Sequence, residues 1–203
     1  MAPDAADTVL VEYVASEVVP ASGNFRRAVF HLDLDAAVGN QQAGTVWVAG
    51  GDEVEVGVYG SELDRLTGYV ISVEYDTTAL QLIRVHEARH SEEQNVLKTG
   101  TGLALFIAST PKGDKADFGG ALLAPQESQA ILGDGLLGIY RFAALDDFTG
   151  QTPIVLSRVV QRSFAQFDTL ELSVEAGVQV DEEGLPVVEG AAALPAHQIS
   201  LER

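Results

Sequence analysis

The chain contains no cysteine, which removes disulfides, thiolate catalysis and cysteine-based zinc sites together. It leaves the compartment open, since many extracellular bacterial domains do without disulfides. Basic residues are scarce as well: 12 Lys and Arg stand against 30 Asp and Glu, for a formal charge of −18 and a pI near 4.3. Such a surface repels phosphate backbones and anionic headgroups, so nucleic acid and membrane surfaces are poor candidate partners. No apolar run approaches the roughly 18 to 20 residues of a membrane-spanning helix. Residues 1–8, from Met1 to Thr8, lack the basic stretch and apolar stretch of an export signal. Aromatic residues make up only 7% of the chain, with a single tryptophan, Trp47. Neither a Gly-x-Ser-x-Gly elbow nor a Gly-rich phosphate loop ending in Lys-Ser or Lys-Thr occurs.

What is present is alternation. Val54, Val56 and Val58 alternate with Glu53, Glu55 and Gly57, the period of a strand with one wet and one buried face. Tyr69, Ile71, Val73 and Tyr75 repeat it after a polar connection, and Leu80, Leu82 and Val85 begin it again. Three such strands need a second sheet over their apolar face. Further strands are expected at 8–14, 28–34, 45–49, 103–108, 118–123, 136–144, 154–160 and 170–174, each bounded by Gly, Pro, Asp or Ser. The polar stretch 90–102 reads as a loop or a short helical excursion. A spacing of about ten to twelve strands predicts an all-β, two-sheet β-sandwich or jelly roll. At 203 residues and 46% hydrophobic content the chain can fill one core of its own. The expected division is an N-terminal strand and connection over 1–27, a sandwich over 28–176, and an edge strand or linker tail over 177–203. Val54, Val56, Ile71, Val73, Leu80, Leu82, Ile139 and Phe142 are expected to share the core.

Several stretches also resemble a cohesin domain. They are Gly51-Asp52-Glu53-Val54-Glu55-Val56 opening a strand, Leu66-Thr67-Gly68-Tyr69 leading to Val73-Glu74-Tyr75-Asp76, the following Leu80-Gln81-Leu82, and the late run Gly133-Asp134-Gly135-Leu136-Leu137-Gly138-Ile139-Tyr140-Arg141-Phe142. The likeness covers roughly residues 28 to 172. His31-Leu32-Asp33-Leu34-Asp35 with Gly39-Asn40-Gln41 is similar to the start of cohesin-like repeats of large bacterial surface proteins, with Asn40 where those carry Asp. The resemblance implies a jelly roll of about nine strands, no catalysis and no required cofactor. It implies a protein partner, a dockerin-like module in the best-known cases, and a location outside the cell or on its surface. The same superfamily includes carbohydrate-binding modules, so a polysaccharide ligand is the alternative.

Candidate sites are few. His86-Glu87-Ala88-Arg89-His90 matches H-E-x-x-H, in which a helix lets two His share zinc while the Glu serves as base. The alternating strand that leads into it argues against a helix: extended backbone would hold the two His roughly 13 Å apart. The further glycine and third His of metzincins are also missing. A zinc peptidase is thus a remote alternative, and a strand end with exposed His is expected. Alternation puts Asp33 and Asp35 on one face of a strand, and Asn40 follows a glycine turn. The three are a candidate calcium site, with an acidic sheet edge as the plainer reading. Asp146 and Asp147 are read as turn formers rather than as a glycosidase pair. Trp47, between Val46 and Val48, is read as core; pointing outward it could instead stack on a sugar ring.

Overall fold

The computed structural model describes residues 28–88, 93–109, 111–146, 148 and 150–164, together with the backbone of 9–14, 169–173, 179–180 and 186–187. It is built of strands: β1 (Val9–Val14), β2 (Val29–Asp33), β3 (Thr45–Val48), β4 (Glu53–Tyr75), β5 (Leu80–His86), β6 (Ala104–Ala108), β7 (Lys115–Leu122), β8 (Ile131–Ala144), β9 (Gly150–Ser163), β10 (Thr169–Ser173), β11 (Gln179–Val180) and β12 (Pro186–Val187). Two short 3-10 turns, Val96–Lys98 and Glu127–Gln129, complete the described elements.

The polar connection expected between Val58 and Tyr69 is not a break. Glu53–Tyr75 is one strand of 23 residues, roughly 75 Å of chain if it ran straight. It bends instead. Glu62 and Arg65 adopt φ of 53° and 50°, and the register against β8 shifts between Gly60 and Leu63 and again between Leu63 and Leu66. Neighbouring chain pins the bend, for the Ser163 hydroxyl donates to the Asp64 carbonyl at 2.6 Å and the Glu62 amide donates to Asp134 Oδ1 at 2.8 Å.

The two halves of β4 therefore serve different sheets. Its first half lies between β2 and β8, and β8 carries β5 on its far side. Its second half, from Gly68 on, lies between β9 and β7, with β6 beyond β7. Strand β1 runs parallel to the start of β9 and bears β3, whereas β10 pairs with the end of β9. In the tail, β11 pairs with β12.

The inward residues of both halves close one core. Val54, Val56, Val58, Tyr69, Ile71, Val73, Leu80, Phe118, Tyr140 and Phe142 are all buried in it, and Leu82 packs partly against it. Ile139 departs from the expected core. It is buried on the opposite side of its sheet, in a small cluster with Tyr59 and Leu136, because it stands three residues from Phe142 and alternation gives the two opposite faces; the skip at Leu137 then brings Leu136 to the same side. The two main layers approach closely at Gly138, where an added Cβ would lie 2.6 Å from Phe118 Cδ1. One end of the core is closed by Asn95, which is fully buried and donates to the Leu137 carbonyl at 2.6 Å. Asn95 also donates to the Tyr69 hydroxyl, which in turn donates to the same carbonyl. The buried ring keeps the Tyr69 hydroxyl far above the ordinary tyrosine range, desolvation being the main cause.

Candidate functional site

The loop after β2 brings Asp33, Asp35 and Asn40 together, in a way that the alternation did not anticipate. The strand ends at Asp33, so the two aspartates do not share a strand face. Asp33 is fully buried and Asp35 exposed. The Asp33 carboxylate gathers the loop around itself: Oδ1 accepts the amides of Asp35 at 3.0 Å and Ala43 at 3.1 Å, and Oδ2 accepts that of Gln41. Asp35 Oδ1 accepts the Ala37 amide at 2.8 Å, and Asn40 Oδ1 the Gln42 amide at 3.0 Å. A carboxylate buried with three amide donors is stable without a counter-cation. Among the described residues no three His, Asp or Glu side chains are grouped as a metal site.

The H-E-x-x-H stretch lies at a strand end, as its context predicts. β5 stays extended up to His86, and the chain bends at Glu87. The Glu87 carboxylate is held by the Lys98 ammonium, which also sits 5.5 Å from the Phe106 ring centre. Arg89 and His90 lie outside the described residues, as do Asp147 and His197. Burial pushes the His86 imidazole below its ordinary value, and the same desolvation lowers His31, partly opposed there by the Asp134 carboxylate. Asp146 stands in a turn against the backbone of Gly50 and Gly51.

Trp47 corrects its expectation. It sits on β3, a strand of only four residues, and is 43% exposed rather than core. Among the described residues β3 pairs with β1 alone, at the edge of its sheet.

A larger exposed feature escaped the sequence reading. On the sheet formed by β9, the second half of β4, β7 and β6, the outward positions of β6 and its lead-in are Leu103 (70% exposed), Leu105 (49%) and Ile107 (65%). Register places Leu105 beside Ala121 and Gly68, and Ile107 beside Gly119, Val70 and Val160. Leu123, 48% exposed, is bonded through its amide to the Leu103 carbonyl. The result is an apolar strip about three rows long, floored by Gly68 and Gly119, which put no side chain above the sheet. Half-buried Asp117 and Arg158 flank buried Ser72 in the next row, with the Glu74–Lys115 ion pair beyond. A sheet face with an apolar centre and charged groups at its margin has the make-up of a protein-docking surface. The signal in the sequence was present but ambiguous: the run Leu103-Ala104-Leu105-Phe106-Ile107-Ala108 is apolar on both strand faces, as a fully covered strand would be.

Two layers of mostly antiparallel strands, linked by a β4 that crosses from one to the other, make a β-sandwich of jelly-roll topology. Its structural neighbours are cohesin modules. The second type II cohesin of the cellulosomal adaptor ScaA scaffoldin of Acetivibrio cellulolyticus superposes with a TM-score of 0.52 at 10% identity, covering 72% of this chain and 90% of that one. A second structure of that module, with its long C-terminal linker, gives 0.52 and 10% over 72% of this chain and 84% of its own. No protein-family model matches the sequence, and no curated protein matches it at a significant level.

Proposed function

We propose that this chain is a non-catalytic interaction module that docks a folded protein partner on the outer face of the β9–β4–β7–β6 sheet. One observation carries the reading: Leu103, Leu105, Ile107, Leu123 and Val70 form a contiguous exposed apolar strip on one face of the sheet, whereas the other large apolar side chains among the described residues are mostly buried. Scattered exposed leucines need no explanation, but a patch with a polar rim does. The cohesin fold supports a partner of the dockerin kind, and with it a place in an extracellular or cell-surface assembly. The glycine floor suits a helix laid across the strands, since Gly68 and Gly119 carry no side chain to hold its backbone away.

Direct binding measurement with candidate dockerin-like modules tests this. Leu105→Lys is expected to weaken binding by at least about tenfold with the fold intact. Undiminished binding by that variant would remove the face from the account.

Carbohydrate binding is the second reading, and the exposure of Trp47 favours it. A sugar platform needs several coplanar aromatics; the exposed large aromatics among the described residues are Trp47 and Phe164. Glycan retention that is lost in Trp47→Ala would establish it. Calcium at Asp33, Asp35 and Asn40 is a separate proposal, in which the ion would share the Asp33 oxygens with three amides. It predicts a melting temperature that rises with calcium, rises much less with magnesium, and stops rising in Asp35→Asn.

A further inference from the structure

The outer edge of β6 carries a different kind of information from the face beside it. Among the described residues β6 is the last strand of its sheet, bonded on one side to β7 and on the other to no strand. The ladder fixes which backbone groups are left over. The Leu103 carbonyl accepts the Leu123 amide at 2.8 Å, and the Ser109 amide donates to the Asp117 carbonyl at 2.9 Å. Antiparallel pairing alternates, so residues 103, 105, 107 and 109 bond toward β7. Ala104, Phe106 and Ala108 therefore direct their N–H and C=O groups to the open side.

Other edges of the fold carry blunting features. β5 has a register shift at Ile83 beside Arg84 and ends on His86, β2 carries His31 and Asp33, and β3 is four residues long. Charge, a bulge or shortness on an edge discourages strand addition. On β6 none is present. From Thr99 to Thr110 there is no charged side chain and no proline, in a chain of 42 charged residues, 12 basic plus 30 acidic.

We propose that β6 is a self-association edge on which two copies of the chain pair antiparallel about a two-fold axis at Phe106. The register follows from the groups left over. Phe106 faces Phe106 of the second copy and Ala104 faces Ala108, so each outward residue meets an outward residue in three hydrogen-bonded pairs, roughly six bonds. On the outer face, Leu105 of each copy then abuts Ile107 of the other, and the two apolar strips join across the seam. A second copy fits here better than a charged partner strand, because the neutral edge is where two molecules of charge −18 meet without facing carboxylates. That net charge also sets a signature. Repulsion between copies opposes the pairing, so salt tightens it; a basic partner held by charge would be loosened by salt.

Sedimentation velocity on the full chain, over a range of protein concentrations and at about 0.05 M and about 0.5 M NaCl, tests the proposal. A concentration-dependent dimer that tightens at the higher salt is expected. Ala108→Pro removes an N–H that points away from β7, so it is expected to abolish the dimer while keeping the melting temperature. Ile107→Lys, which places like charges at the seam, is the second variant and is expected to weaken the dimer by at least about tenfold. A chain that stays monomeric at every concentration and salt overturns the proposal. So does a dimer that survives both variants, whose seam would lie elsewhere. Partner docking on the sheet face is read out separately, by partner binding to Leu123→Lys, a strip position away from the seam, and stands or falls without this result.

Discussion

At the scale of single residues, Asp33 and Val73 bear most weight, for opposite reasons. Asp33 is a buried acid satisfied by three amides, so Asp33→Asn turns its NH2 group toward an amide donor that it cannot accept. The expected cost is about 2 kcal/mol, present in chelator as well as in calcium; an unchanged melting temperature in chelator would deny the carboxylate its structural role. Val73 has no exposed surface, and Val73→Asp would bury a charge with no partner, a change expected to abolish cooperative unfolding altogether. His31 and His86 give a pH dependence. Both are lowered below 6.5 by burial, so the unfolded chain binds more protons, and the stability they contribute, fully present above pH 6.5, is lost as the pH falls below it. Replacing both with Gln is expected to flatten the stability profile on that acidic side, and identical profiles for variant and parent would place the titration elsewhere.

Elements show where sequence reading succeeds and where it stops. The alternation of Tyr69, Ile71, Val73 and Tyr75 announced a half-buried strand, because a sheet with one covered face writes its period directly into the residues. The same logic failed ten residues earlier. The residues between Val58 and Tyr69 read as a polar connection, and the positive φ values that bend β4 without ending it fall on Glu62 and Arg65, residue types that do not advertise such a conformation. Trp47 was misplaced since Val46 and Val48 look like core neighbours, whereas exposure depends on β3 having one neighbouring strand. The exposed strip on β6 is ambiguous in the sequence for a related reason: only the long-range pairing of β6 with β7 and of β7 with β4 shows which apolar residues face out. Asp33 and Asp35 were found as a pair, yet whether they point at an ion or at amides depends on where β2 ends. The contact between layers makes a further prediction at this scale. Gly138→Ala would press a methyl group into Phe118 and is expected to cost about 1 to 3 kcal/mol; thermal denaturation matching the parent would mean that the ring yields freely.

For the whole molecule, two sheets that share one long strand place a continuous sheet face beneath the proposed docking strip. Its apolar strip, its polar rim and its bare glycine rows lie on strands tied to the core by Phe118, Ile71 and Val159 on the reverse side. The chain's acidity favours partners with basic rims and speeds their encounter, an effect that salt would weaken. Capture from the proteome of the encoding organism, with the parent chain and Leu105→Lys run side by side after both are verified to melt alike, tests the docking face most directly. The account predicts a protein retained by the parent, lost with Leu105→Lys and kept with Trp47→Ala. Retention that is equal for the parent and Leu105→Lys, or that disappears only with Trp47→Ala, would contradict it.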